Sequence, residues 1–253
     1  MASDVRDDRV SIMSKKTAVI TGAGQGLGRA MAERLSTDGF HVVCVDVNSD
    51  SAAETAQFVG GEAHACDITD RDAVHRLGNL VSECHVLVNN AGVWSFESLL
   101  ESTEHDAERV IHVNVLGTMW CTQAFAPHMR RAGGGSIINV SSAAAWTQSP
   151  GIGVYPATKT AVESLTKTFA LELGPDNIRV NAIGPGLILS DGTAANYEGN
   201  RVNERAQGVP LRRVGSPVDI ANVVSFLAGP DSTYVSGQVM YVDGGISAGT
   251  QKR

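Results

Sequence analysis

Short apolar runs rich in Val and Ile recur along the chain, and the stretches between them repeat their apolar residues at helical spacing. The runs occupy residues 17–20, 41–45, 62–66, 85–89, 136–141, 178–183 and 238–242. Most are continuous rather than alternating, as expected of strands covered on both faces of a parallel sheet. Between them, Leu27, Ala30, Met31 and Leu35 share one helical face, and Ala73, Val74, Leu77, Leu80 and Val81 share another. Longer helical patterns cover residues 103–131 and 152–173. Ser216, Pro217 and Asp219 read as an N-cap, a proline at N1 and an acid at N3, opening a helix that continues through Ala228. Seven strands alternating with about six helices predict an α/β fold: one doubly wound domain, its seven-stranded, mostly parallel sheet covered by helices on both faces. Residues 187–208 interrupt the alternation. They are polar, irregular and too long for an ordinary connection, which makes them a candidate substrate lid. The polar residues 1–14 read as a disordered tail, with Met13 as an alternative start, so the folded domain is expected over 15–253.

Composition narrows the class. With 253 residues, 43% of them hydrophobic, the chain can bury one sizeable core. Its 27 glycines cluster between the apolar runs, which suggests tight turns and ligand loops. A net charge of −7 without a basic block argues against nucleic acid or an anionic membrane as partner. Cys44, Cys66, Cys84 and Cys121 form no C-x-x-C pair, so neither a zinc site nor a disulfide framework is expected, and a reducing cytoplasm fits. No run approaches the ~20 apolar residues of a membrane helix, and the N-terminus lacks the apolar core of a signal peptide.

Four short motifs carry candidate chemistry. Thr21-Gly22-Ala23-Gly24-Gln25-Gly26-Leu27-Gly28 follows a strand and opens a helix. Glycines there let backbone approach a pyrophosphate, and the helix start offers free N–H groups; taken alone, a glycine-rich tight turn is the lesser reading. Asp46, with Val47 beside it, ends the second strand, where a carboxylate can accept both hydroxyls of an adenosine ribose and repel a 2′-phosphate. Asn89-Asn90-Ala91-Gly92 ends the fourth strand, at the edge where open α/β sheets bind ligands, though an Asx turn would also explain it. Tyr155 and Lys159, four apart on a helix, share one face about 6 Å apart along the axis. An ammonium there would favour the phenolate and lower the Tyr155 pKa, making it a base near neutral pH. Ser142 ends the preceding strand, so its hydroxyl can reach a carbonyl or carbinol oxygen on the same side of the sheet.

Together these residues resemble the short-chain dehydrogenase/reductase family. The likeness covers residues 16–246 and includes the T-G-x-x-x-G-x-G loop and the spacing of Ser142, Tyr155 and Lys159. It also includes Pro185-Gly186, Arg213-Val214-Gly215-Ser216-Pro217 and Val242-Asp243-Gly244-Gly245. The resemblance implies a Rossmann-type fold, an NAD cofactor and a homotetramer. Apolar residues on more than one face of the two long helices also suggest an oligomer. It implies that Gly22, Gln25, Gly26, Leu27, Gly28, Asn89, Ala91 and Gly92 lie along the cofactor with Asp46 and Val47. Asp67 would contact the adenine amino group, with Ile68 beside it. Pro185, Gly186 and Ile188 would touch the nicotinamide carboxamide, and Ser190 stands where the family often has Thr. The main chain of Asn114 would hold a water linked to Lys159.

In this reading Tyr155 takes the alcohol proton, Ser142 holds the oxygen, and Lys159 lowers the Tyr155 pKa and binds the nicotinamide ribose. Val93, Trp94, Trp146, Gln148, Leu187, Leu189 and Tyr197 are expected around the substrate. So apolar a set predicts an uncharged cyclic or aromatic secondary alcohol or its ketone. An NADPH-dependent ketone or 3-oxoacyl reductase is the alternative, opposed by the acid at Asp46 and the absence of a base at Gln25. A non-catalytic dinucleotide sensor or scaffold is opposed by the intact set Asn114, Ser142, Tyr155 and Lys159. No metal is expected. Two features depart from the family pattern. Pro156 demands that its helix be in its first turn there or otherwise need no donor, and the short span from Asp67 to Val86 implies a shortened third crossover helix.

Overall fold

A computed structural model of the protein describes residues 15–197 and 199–249; the tail expected to be disordered lies outside them. The strands are β1 (Thr17–Thr21), β2 (His41–Asp46), β3 (Glu62–Ala65), β4 (Val86–Asn89), β5 (Gly135–Val140), β6 (Ile178–Pro185) and β7 (Val239–Val242). They form one sheet in the order β3-β2-β1-β4-β5-β6-β7. Every pairing is parallel, so the mostly parallel sheet read from the sequence is wholly parallel. The chain runs outward from β1 to β3, returns to the centre at β4 and then runs the other way. Such a reversal leaves a crevice at the carboxyl ends of the two central strands.

The helices are α1 (Gly26–Thr37), α2 (Ser49–Val59), α3 (Arg71–Leu80), α4 (Glu104–Ile111), α5 (Thr118–Arg131), α6 (Ala144–Thr147), α7 (Tyr155–Leu173), α8 (Arg201–Gly208) and α9 (Pro217–Ala228). Successive strand residues point to opposite faces, which explains why the apolar runs are continuous. Ile20, Val88 and Ile138 join Met31 and Leu35 of α1 and Ile220, Val224 and Leu227 of α9 in one core. Their neighbours Val19, Leu87 and Ile137 join Leu77 of α3 and Phe125 and Met129 of α5 in the other. The edge strand β3 departs from this rule: Glu62, Ala63 and Ala65 are exposed. Leu80 also falls outside its expected stripe and is 71% exposed. Six residues on from Val74, it has drifted about 120° around α3.

Three elements differ from or refine the sequence reading. The single helix expected over 103–131 is divided into α4 and α5 by a π-helical turn, His112–Gly117. Helix α7 begins at Tyr155, so Pro156 occupies its first turn, where its missing N–H has no partner to lose. Residues 187–208 are largely helical rather than irregular, with a 3-10 segment, Asp191–Tyr197, followed by α8. Helix α8 buries no residue, which is why it leaves no apolar periodicity in the sequence. The third crossover helix, α3, is ten residues long. Ser216 and Asp219 form a reciprocal capping box at the start of α9, as their spacing predicts.

Candidate active site

A cleft of about 720 Å³ follows the carboxyl edge of the sheet. Helix α1 opens onto it with no side-chain cap and no acid in its first turn. Elsewhere Asn48, Asp70 and Thr103 cap α2, α3 and α4. The first N–H groups of α1 therefore stay free for an anion, at the positive end of the helix dipole. Two glycines make the close approach possible. A Cβ on Gly28 would sit 1.9 Å from the Gly22 carbonyl oxygen, and Gly22 itself has φ +64° with the Ala91 Cα 2.8 Å from any Cβ. Asn90 Nδ2 donates to the Thr21 and Gly22 carbonyls, each at 2.9 Å. Thr21 Oγ1 accepts from the Asn90 and Ala91 N–H groups at 3.1 Å. The two lips of the crevice are thereby tied into one backbone cradle. Gly22, Gln25, Gly26, Leu27 and Gly28 line it, as do Ala91 and Gly92, and its shape and polarity fit a pyrophosphate.

At the end of β2, Asp46 and Val47 line the same cleft. Asp46 Oδ2 accepts from the Gly24 N–H and Oδ1 from the Asn48 N–H, both at 3.0 Å. These bonds orient the carboxylate and leave lone pairs for further donors. Asp67 and Ile68 line the cleft just beyond β3, with Asp67 Oδ1 accepting from the N–H and hydroxyl of Thr69 at 2.8 and 2.7 Å. Asn89 requires correction. Its side chain is buried between strands, with Nδ2 donating to Asn139 Oδ1 at 2.8 Å and Thr122 Oγ1 at 3.2 Å. The alternation of a strand turns Asn90, not Asn89, toward the cleft. The amide pair in the motif was the available signal, but strand phase decides which amide faces out.

Ser142, just past β5, and Tyr155 and Lys159, on one face of α7, meet in the cleft. Lys159 is only 4% exposed. Its Nζ donates to the Val140 carbonyl at 2.8 Å and lies 5.7 Å from the centroid of the Tyr155 ring. Burial lowers its pKa to about 8. Burial also raises the Tyr155 phenol, against a hydrogen bond with Ser142 that pulls it down. The expected lowering of Tyr155 by Lys159 is thus overturned in this arrangement. Withdrawing the phenolate from water outweighs the nearby amine, which is directed at a carbonyl rather than at the phenol.

Asn114 does not line the cleft but clamps its floor from the π turn, a distortion frequent at functional sites. Its Oδ1 accepts from the Val93 N–H at 2.9 Å. Its Nδ2 donates to the Val93 carbonyl at 2.9 Å and to Thr158 Oγ1 at 3.0 Å, joining the loop after β4 to α7. A Cβ on Gly92 would stand 3.2 Å from Lys159 Nζ and 3.4 Å from Asn114 Oδ1, so these groups are closely set. Pro185, Gly186, Ile188 and Ser190 line the far wall, at the end of β6 and beyond it.

Of the residues expected around a substrate, Val93, Trp94, Leu187 and Tyr197 line the cleft, whereas Trp146, Gln148 and Leu189 do not. Trp146 lies on the four-residue α6 and is 64% exposed. Gln148, at φ +43°, folds back so that its Nε2 donates to the Ala145 carbonyl. A short helix followed by a reversal leaves both side chains outside the cleft. Phe96, Arg109 and Arg205 line the cleft unforeseen. The expected scarcity of charge there is therefore corrected, and with it the basis for an uncharged substrate. In sequence both arginines look like ordinary solvated helix positions, and only the packing of α4 and α8 brings them to the cleft. Among the described residues no cluster of His, Cys, Asp and Glu could hold a metal ion, and no helix is long and apolar enough to cross a membrane.

Residues 22–247 match a family model described as Enoyl-(Acyl carrier protein) reductase. Dehydrogenase/reductase SDR family member 4 from Sus scrofa is 34% identical over 252 residues, 95% of this chain and 90% of its own. The 7alpha-hydroxysteroid dehydrogenase of Escherichia coli strain K12 is 36% identical over 239 residues, 91% of this chain and 93% of its own. Among solved structures, a short-chain type dehydrogenase/reductase from Mycobacterium ulcerans superposes with a TM-score of 0.88 at 34% identity, covering 92% of this chain and 90% of that one.

Proposed function

The chain belongs to the short-chain dehydrogenase/reductase family, an oxidoreductase family that typically uses NAD(P), and on that premise we propose that it transfers a hydride between NAD(H) and a secondary alcohol or ketone with a cyclic or aromatic body. The observation that carries this reading is the meeting of Ser142, Tyr155 and Lys159 in the cleft onto which the uncapped α1 opens. The bound nicotinamide would accept or supply the hydride. Tyr155 exchanges the proton of the substrate oxygen, and the Ser142 hydroxyl donates to that oxygen as charge develops on it. Lys159 holds the nicotinamide ribose and supplies positive charge beside the phenol once ligands displace water. Asn114 keeps α7 and the β4 loop in register with both.

NAD(H) is favoured over NADP(H) because Asp46 offers acceptors to ribose hydroxyls and repels a 2′-phosphate. The arginines and lysine that line the cleft follow β4, β5 and β6, on the other side of the strand reversal. Asp46 equally disfavours the reading as an NADPH-dependent 3-oxoacyl reductase. A cyclic body suits Trp94, Phe96 and Tyr197, and the relative from Escherichia coli acts, by its name, on a hydroxysteroid. Four free, buried thiols suit a reducing cytoplasm. The exposed Leu99, Leu100 and Leu171 suit a homotetramer, which light scattering would test against a monomer mass.

The direct test is a panel of secondary alcohols and ketones with NAD(H) and NADP(H), followed at the nicotinamide absorbance. Turnover is expected with higher kcat/KM for NAD(H). Equal values for the two cofactors overturn the preference, and no turnover across the panel overturns the activity.

A further inference from the structure

Arg109 and Arg205 come from different helices, α4 and α8, yet line the cleft together with Trp94, Phe96 and Tyr197. Each guanidinium is held by a neutral partner. Arg109 Nη2 donates to the Trp94 carbonyl at 3.2 Å, and Arg205 lies 5.0 Å from the centroid of the Tyr197 ring. Among the described residues neither pairs with a carboxylate, whereas Arg29, Arg34, Arg76, Arg130 and Arg213 all do. Arg71, Arg131, Arg179, Arg201 and Arg212 likewise have no carboxylate partner among the described residues, so it is the place in the cleft that singles out Arg109 and Arg205.

Their place in the topology limits what they can bind. The carboxylates of the cleft, Asp46 at the end of β2 and Asp67 just past β3, lie on one side of the reversal between β1 and β4. The arginines follow β4 and β6, on the other side. The cleft therefore runs from acidic at the adenosine end to basic at the substrate end, and the pair is out of place for a nucleotide 2′-phosphate.

We propose that the substrate carries a carboxylate remote from its reacting carbon, and that Arg109 and Arg205 bind it while the aromatic side chains pack its apolar body. This rests on the reading of the site as an alcohol/ketone oxidoreductase. A guanidinium fork matches a carboxylate in shape and charge, and the neutral partners of both arginines hold them without neutralising them. The site thus adds a charge requirement to an otherwise apolar pocket.

The probes are 4-acetylbenzoate and its homologues with the carboxylate on a tail of increasing length, each against its methyl ester. Binding to the enzyme–NAD⁺ complex, which cannot reduce a ketone, is measured by calorimetry. The best carboxylate should bind about tenfold more tightly than its ester, and added salt should shrink that ratio. In the Arg109→Gln/Arg205→Gln double variant the ratio should fall toward one. NAD⁺ binding and a thermal melt report whether the double variant is folded; if it is not, the single variants Arg109→Gln and Arg205→Gln are read in the same way. Equal binding of acid and ester by the wild type, no binding of either, or an unchanged ratio in the variants overturns the proposal. Reduction of the ketones with NADH is read separately. Turnover with no arginine effect leaves the oxidoreductase reading standing, and no turnover of any ketone removes it.

Discussion

The two halves of the cleft are built from different materials. The nucleotide half is mostly backbone: the open start of α1, the ends of β1 and β4 tied by Thr21 and Asn90, and glycines where a Cβ has no room. The substrate half is mostly side chain. Trp94 and Phe96 come from a loop, Arg109 from α4, and Tyr197 and Arg205 from the short helical elements after β6. A backbone cradle tolerates few residue types at fixed spacing, so its form is set by its own geometry. A side-chain pocket can be relined without disturbing the fold, so it is where specificity can change. Helix α8 has no buried residue, so little packing holds it to the rest of the molecule.

Between the halves stand Tyr155 and Lys159, and substitutions there should have the largest effects. Tyr155→Phe should lower kcat by about a thousandfold while leaving NAD binding within a few-fold, because the phenol moves a proton and adds little affinity. Stopped-flow turnover and a fluorescence titration separate the two, and substantial residual activity would remove Tyr155 from the mechanism.

Lys159 should next reveal itself in stability. Its pKa falls from 10.5 to about 8 on folding, so between those values the unfolded chain holds the proton more tightly. Stability must then rise with pH across that window, by up to roughly 3 kcal/mol from this group. The raised phenol of Tyr155 acts with the opposite sign above its ordinary pKa of 10, and the raised thiols of Cys44, Cys66, Cys84 and Cys121 do so above their ordinary 9.0, so the lysine is read by urea unfolding between pH 7 and 9, below the thiols' window. Lys159→Met should flatten the rise, and an undiminished slope would show that another group is responsible.

The adenosine end should respond more modestly. Asp46→Ala combined with Val47→Arg should move the kcat/KM ratio toward NADP(H) by roughly tenfold to a hundredfold, the worth of one or two charged hydrogen bonds. An unmoved ratio would mean that Asp46 does not read the ribose. The smallest effects sharpen the outer boundary of the substrate half. Trp94→Ala should reduce kcat/KM for a bulky alcohol by up to about tenfold, whereas Trp146→Ala should leave it nearly unchanged, since Trp146 is exposed and does not line the cleft. Equal losses in both would redraw the pocket.

The sequence by itself determined the alternation of strands and helices, the glycine loop, Asp46 and the Tyr155/Lys159 spacing. Each depends on local rules: continuous apolar runs for strands buried on both faces, glycine where no Cβ fits, and four residues to bring side chains onto one helical face. Pro156 called for a first turn or a position that needs no donor, and α7 meets the first by beginning at Tyr155 rather than 152. Tertiary structure alone decided the rest. Strand phase turned Asn90 outward and buried Asn89 against Asn139. The π turn set Asn114 as a clamp inside what read as one uninterrupted helix. The direction of α6 removed Trp146 and Gln148 from the pocket, while the packing of α4 and α8 brought Arg109 and Arg205 into it. Burial also reversed the expected shift of Tyr155. Spacing along a chain reports which groups can meet, but how much water they lose, and which side of a loop they face, depends on elements far away in sequence.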